Sequence, residues 1–305
     1  MEKKSLLIDG NALLYKAFHA SYFPWLKEQE RQKAIVEAAG QIYNKPEANN
    51  AIRIFTMMML SLKKQFNEHN ILVAFDAMGV QTYRSKFNYY KAGRSKTPDD
   101  LYVQKPSIIK VLDLLGFEHI EDTRLEADDI IGILAKRFAK DEIQVDIVTG
   151  DKDLLQLVDK NINVYISKKG VSEMEKYTSY NFSSLMDGLS PEQIKDLKGI
   201  MGDNSDNLQG IKGIGEKGAL KLLNEYKTLE NIYINREQLT PSMCKKVEEG
   251  YEHGLECKSI ATIITEHDIQ MTYEQTSLNI FEKYELAGFL RSKNIFKLAE
   301  DIEKL

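Results

Sequence analysis

Residues 5–10 read Ser5-Leu6-Leu7-Ile8-Asp9-Gly10. A short apolar run that stops at Asp-Gly reads as a buried strand with a turn at its carboxyl end. The pattern recurs at Ile71–Phe75, stopped by Asp76, and at Val145–Val148, followed by Thr149-Gly150-Asp151. Ile162–Ile166 reads as a further strand, and Phe117–Ile120 as a weaker one. Between them lie stretches of helical character: Ala12–Ala20, Glu28–Ala39, Ile52–Phe66, Ser107–Leu115 and Glu126–Phe138. Strands alternating with helices predict an α/β fold, with a central, mostly parallel sheet flanked by helices. Sites in such sheets open at the carboxyl ends of the strands. Asp9, Asp76 and Asp151 each stand at or just past such an end.

From about residue 178 the pattern turns helical, over Pro191–Lys198, Glu216–Tyr226, Pro241–Tyr251 and Lys283–Leu290. The expected division is a sheet-based core over 1–177 and a helical region over 178–305. Residues 79–106 are long, basic and aromatic, which marks a functional or mobile segment. Residues 21–50 are mixed and polar, with Pro24 and Pro46.

The acids fall into clusters: Asp9 and Asp76 singly, then Glu126-Ala127-Asp128-Asp129, Asp151-Lys152-Asp153 and Asp203-Asn204-Ser205-Asp206. Each has an ordinary reading as a helix cap or a turn residue. Taken together, nine carboxylates on one sheet edge would repel strongly in a low dielectric and need cations. Oxygen-only ligands select hard ions, Mg²⁺ or Mn²⁺. A pair of such ions about 4 Å apart serves phosphoryl displacement.

Gly210-Ile211-Lys212-Gly213-Ile214-Gly215-Glu216-Lys217 has the form of a helix-hairpin-helix, spanning about 197–226. Glycine lets backbone approach a phosphate closely, and free amides at a helix start favour an anion. Gly213, Gly215, Lys212 and Lys217 are therefore candidate contacts to a DNA backbone, read without base specificity. A dinucleotide-binding loop is the other use of such glycines, but no strand precedes this one. In Tyr83-Arg84-Ser85-Lys86-Phe87-Asn88-Tyr89-Tyr90-Lys91, followed by Arg94, cations for phosphates interleave with rings for unpaired bases. A solvated surface helix is the plain alternative.

The chain has 305 residues, 43% hydrophobic and 29% charged, with a net charge of −5. The overall sign argues against nucleic acid. The charge is uneven, however, and residues 84–96 hold Arg84, Lys86, Lys91, Arg94 and Lys96 without an acid. Cys244 and Cys257 suggest neither a disulfide framework nor a zinc site. With no signal peptide and no apolar run of membrane-spanning length, a cytoplasmic location is expected.

Six stretches together resemble the 5′-3′ exonuclease/flap endonuclease family, especially the nuclease at the N-terminus of bacterial DNA polymerase I. They are residues 6–20, 73–77, 83–101, 125–132, 147–158 and 200–223, in family order. The resemblance implies a PIN-like 5′-nuclease core, a helical arch over about 79–106 and a C-terminal helix-hairpin-helix. It implies two Mg²⁺ or Mn²⁺ ions, held by Asp9, Asp76, Glu126, Asp128, Asp129, Asp151, Asp153, Asp203 and Asp206. The second ion would sit on Asp153, Asp203 and Asp206. Lys91 and Arg94 would meet the scissile phosphate, with Arg84, Tyr83 and Tyr90 beside them. A potassium ion would bind hairpin carbonyls around 212–215, with Ser205 as a further ligand. The implied substrates are DNA with 5′ flaps, nicks or ends, and RNA primers, cut by a monomer with no membrane partner. Two features depart from the pattern: residues 21–50 are longer than usual, and the glycine usual near Ile52-Arg53 is missing. With the chain ending at Leu305, it is expected to act without an attached polymerase. Two rivals stand beside this reading: a DNA-structure binder without catalysis, and an RNA-directed nuclease of PIN-like kind.

Overall fold

The computed structural model of the protein describes residues 2–79, 81–92 and 98–305. Its strands are β1 (Lys4–Asp9), β2 (Asn70–Asp76), β3 (Glu118–Asp122), β4 (Gln144–Thr149), β5 (Ile162–Lys169) and β6 (Glu173–Tyr177). They form one sheet in the order β3-β2-β1-β4-β5-β6. All neighbours are parallel except β5 and β6, which run antiparallel. The mostly parallel sheet expected from the apolar runs is present, with β6 as an added edge strand.

Alternation along the strands builds two cores. Leu6, Ile8, Ile71, Val73 and Phe75 face one side, against helices Gly10–Ala38, Asn50–Gln65 and Lys105–Leu115. Leu7, Leu72, Ala74, Val145 and Ile147 face the other side, against helix Ala127–Lys140. The chain winds from β1 towards β2 and β3, then crosses to β4 and β5. The switch point is therefore between β1 and β4, where open α/β sheets form their crevice. Gly10 is fixed by packing, because a Cβ there would lie 2.5 Å from the buried Phe75 ring.

Helix Gly10–Ala38 runs through Pro24, so the helices expected at Ala12–Ala20 and Glu28–Ala39 are one continuous rod. A third core packs the helical layer, with Ile200, Ile211, Ile214, Leu223 and Val247. The chain then returns to the sheet. Ile263 and Ile269 join the second face, and Leu286, Leu290, Leu298 and Ile302 join the first. Residues 283–303 thus pack with the sheet-based core, across the division expected at 177/178. Among the described residues no helix is long and apolar enough to cross a membrane. Both cysteines are free, and Cys257 is buried beside Leu208 and Ile260.

Candidate metal centre and its basic rim

Three adjacent strand ends supply the floor of the site. Asp9 ends β1 and caps the helix that follows, its Oδ1 accepting from Ala12 N at 2.9 Å. Its Oδ2 accepts from Thr149 Oγ1, at the end of β4, at 2.7 Å. Asp76 ends β2 and accepts from Ala127 N at 2.7 Å, so it is anchored on the start of helix Ala127–Lys140. Past β4, Asp151 Oδ1 accepts from Asp153 N at 2.9 Å.

Burial and crowding mark these acids. Burial raises the Asp9 carboxyl to about 6, with the charges of Asp151 and Asp76 adding to the effect. Burial also raises Asp76, and raises Asp128 well above the ordinary range, with Asp9 and Asp151 contributing. Asp153 is pushed up to about 7 by burial and by Asp151, while Lys198 opposes the shift. Such carboxyls favour a proton or a cation over bare charge. Oxygens of Asp153, Asp203 and Asp206 lie within 4.8 Å of one another, close enough to share one ion. A narrow cleft lined by Glu126, Asp128, Asp151, Asp153, Asp206, Tyr90 and Lys91 joins the two groups.

Lys91 and Tyr90 form the rim. Lys91 Nζ lies 2.9 Å from Glu126 Oε2, and the Tyr90 hydroxyl donates to the same oxygen at 3.1 Å. Lys91 N donates to Asp206 O at 2.9 Å, with Lys91 in the left-handed region at φ 58°. A non-glycine residue held there is a strained position of the kind found at working sites.

Two expected site residues are paired with each other beside the cleft. Asp129 is fully buried and receives both Arg84 nitrogens, at 2.6 and 3.0 Å, plus Ile264 N at 2.9 Å. Both Asp129 oxygens thus have internal partners. Arg84 also donates to the carbonyls of Ile260 and Thr262, at 2.8 and 2.7 Å. The Arg84 guanidinium also lines the cleft, its Nη1 3.7 Å from Glu126 Oε2. Tyr83 is tied by its hydroxyl to Ser259 O at 2.7 Å, away from the rim. Arg94 lies outside the described residues. Of the expected arch, the described parts hold a 3₁₀ turn, Tyr83–Lys86, and one helical turn, Asp99–Tyr102.

The hairpin joins helix Ile194–Met201 to helix Glu216–Tyr226. Gly210 has φ 61°, and a Cβ there would lie 2.3 Å from Gly202 N, so the loop closes only on glycine. Ile211 and Ile214 are buried, while Lys212, Gly213, Gly215 and Lys217 are exposed. Gly213 O accepts from Lys246 Nζ at 2.9 Å, and Ser205 donates Oγ and N to Asp203 at 2.6 and 2.7 Å. Both groups, expected as potassium ligands, thus have internal partners.

Sequence reading missed Lys198. Its Nζ lies 2.6 Å from Asp153 Oδ1 and also hydrogen-bonds Asp203. A lysine in the last turn of a helix is an ordinary dipole partner, and nothing local to Lys198 signals an acid 45 residues upstream.

Two family models match the chain. The 5′-3′ exonuclease N-terminal resolvase-like domain covers residues 4–186, and the 5′-3′ exonuclease C-terminal SAM fold covers 189–283. The chain belongs to the 5′-3′ exonuclease family. Within it, the chain is 39% identical to the Mycoplasma genitalium 5′-3′ exonuclease, over 99% of this chain and 100% of that one. It is 41% identical to Lactococcus lactis DNA polymerase I, over 95% of this chain but only 32% of the polymerase. The fold is that of T5 5′-exonuclease in a zinc-bound structure, with TM-score 0.63, 16% identity and 99% of both chains covered. It is also that of the catalytic core of Rad2 solved with a DNA substrate, with TM-score 0.62, 16% identity, and 99% and 92% covered. The metal-centre geometry and this membership agree: the protein is a DNA phosphodiester hydrolase with a metal-binding active site.

Proposed function

We propose that this protein is a structure-specific 5′-3′ exonuclease and flap endonuclease using two carboxylate-held Mg²⁺ or Mn²⁺ ions. The observation that carries the reading is the convergence of strand-end acids with the Asp153/Asp203/Asp206 group on one cleft. The donors are all oxygen, which suits a hard cation. Asp9, Asp76, Glu126, Asp128 and Asp151 would hold one ion, and Asp153, Asp203 and Asp206 the other. Bound ions would supply a hydroxide near neutral pH and neutralise charge on the attacked phosphate.

The chain's own residues do the rest. Lys91, within reach of Glu126, supplies positive charge where the scissile phosphate enters. Tyr90 offers a ring and a hydroxyl on the same rim. The hairpin, with Lys212, Gly213, Gly215 and Lys217 exposed, fits the phosphates of the duplex flanking the cut. DNA with 5′ flaps, nicks or ends is the substrate class, and we take the enzyme to act as a cytoplasmic monomer.

Asp151→Ala tests the assignment. Cleavage of a labelled flap duplex should fall on the order of 10³-fold, the scale of losing one electrostatic stabiliser. Duplex binding by gel shift should persist, since the hairpin is untouched. A variant cutting at the wild-type rate would remove Asp151 from the site.

A further inference from the structure

Lys198 is held between two layers of the molecule. Its helix, Ile194–Met201, belongs to the helical layer, while Asp153 follows β4 and Asp203 opens the hairpin loop. The Lys198 ammonium contacts both acids, and all three side chains are nearly buried, at 15% exposure for Lys198, 11% for Asp153 and 15% for Asp203.

The strand-end half has an ammonium too, Lys91 at 2.9 Å from Glu126, whereas in the other half a single ammonium, that of Lys198, spans two acids. Asp9 is held by a backbone amide and a hydroxyl, both neutral donors. Asp153 and Asp203 are already compensated by a compact, fixed ammonium. Carboxylate oxygens cannot hold an ammonium in that geometry and also coordinate a divalent cation on the same lone pairs.

Resting on the two-ion reading above, we infer that Lys198 is the resident counter-ion of the Asp153/Asp203 half. Its ammonium must leave these carboxylates before a divalent cation takes them. Lys198 is in this sense a positioning residue: it sets the ion affinity of that half and, once released, adds a cation to the cleft. Separating a buried ion pair is costly, so the pairing lowers the affinity of this half for its ion.

The test is Mn²⁺ binding without DNA, read from the EPR signal of free ion, on wild type, Lys198→Met and Lys198→Arg. Wild type should show two binding classes. Lys198→Met should tighten the weaker class about tenfold or more and leave the stronger within about twofold, on the scale of a released buried pair. Lys198→Arg should match wild type. A Lys198→Met isotherm that superimposes on wild type, or is weaker, overturns the inference. Wild type that binds no Mn²⁺ sinks the two-ion reading and the inference with it. Should Lys198→Met fail to fold, ¹⁵N-lysine NMR of wild type decides. The Lys198 ammonium signal, assigned by its loss in Lys198→Arg, should move over the Mg²⁺ range of the weaker class. A signal unmoved at saturation overturns the inference equally.

Discussion

Asp9 shows at the scale of one residue how the centre sets stability against function. Its carboxyl is raised from 3.8 to about 6, and Asp153 is raised to about 7. The folded protein thus holds these protons more tightly than the unfolded chain does. Their stabilising contribution is fully present below pH ~4 and is lost as pH rises through about 6 and 7. For Asp9 alone the difference is on the order of 3 kcal/mol, at ~1.4 kcal/mol per pKa unit. In EDTA, the melting temperature should be lower at pH 8 than at pH 5.5, and Mg²⁺ should raise it more at pH 8. Coordination needs the ionised carboxylate, so both effects have one origin. A metal-free melting temperature that is flat or rising across this range would contradict the assigned burial of these acids.

At the scale of elements, Arg84 is the joint. It ties the segment after β2 to helix Ala127–Lys140 through Asp129, and to the end of helix Pro241–Ala261 through Ile260 and Thr262. Glu126 and Asp128 start that first helix, so the clasp fixes their direction. Arg84→Met should destabilise the protein by ~3–5 kcal/mol, because it strands a buried carboxylate. The double variant with Asp129→Asn should recover a large part of that loss in urea unfolding. If the single variant loses under about 1 kcal/mol, the clasp is not structural. This joint also marks where sequence reading ends. Asp128 and Asp129 are adjacent acids about 100° apart on a helix, and only the fold decides which one faces the cleft. The strand-end acids were legible because a short apolar run stopping at Asp carries its own direction. Strand β6, Glu-Met-Glu-Lys-Tyr over 173–177, was not legible, since an edge strand with exposed charges lacks an apolar signature. Nor was the continuity of Gly10–Ala38, whose second half is mostly exposed and which carries Pro24 at its middle.

At the scale of the molecule, a chain of net charge −5 handles a polyanion by separating its charges. The acids gather on the carboxyl edge of the sheet, and the exposed lysines of the hairpin lie on the helical layer. The last helices, over 283–303, fold back onto the first face of the sheet and brace the core that carries the centre. The helical layer is thereby clamped at both ends, by residues 178–190 leaving the sheet and by 262–282 returning to it. The most direct test of the whole account is cleavage of a 5′-labelled flap duplex in Mg²⁺, in Mn²⁺ and in EDTA. Release of the flap near the junction is expected with either metal, and none in EDTA. Cleavage that persists in EDTA, or duplex binding with no cleavage under either metal, would contradict it.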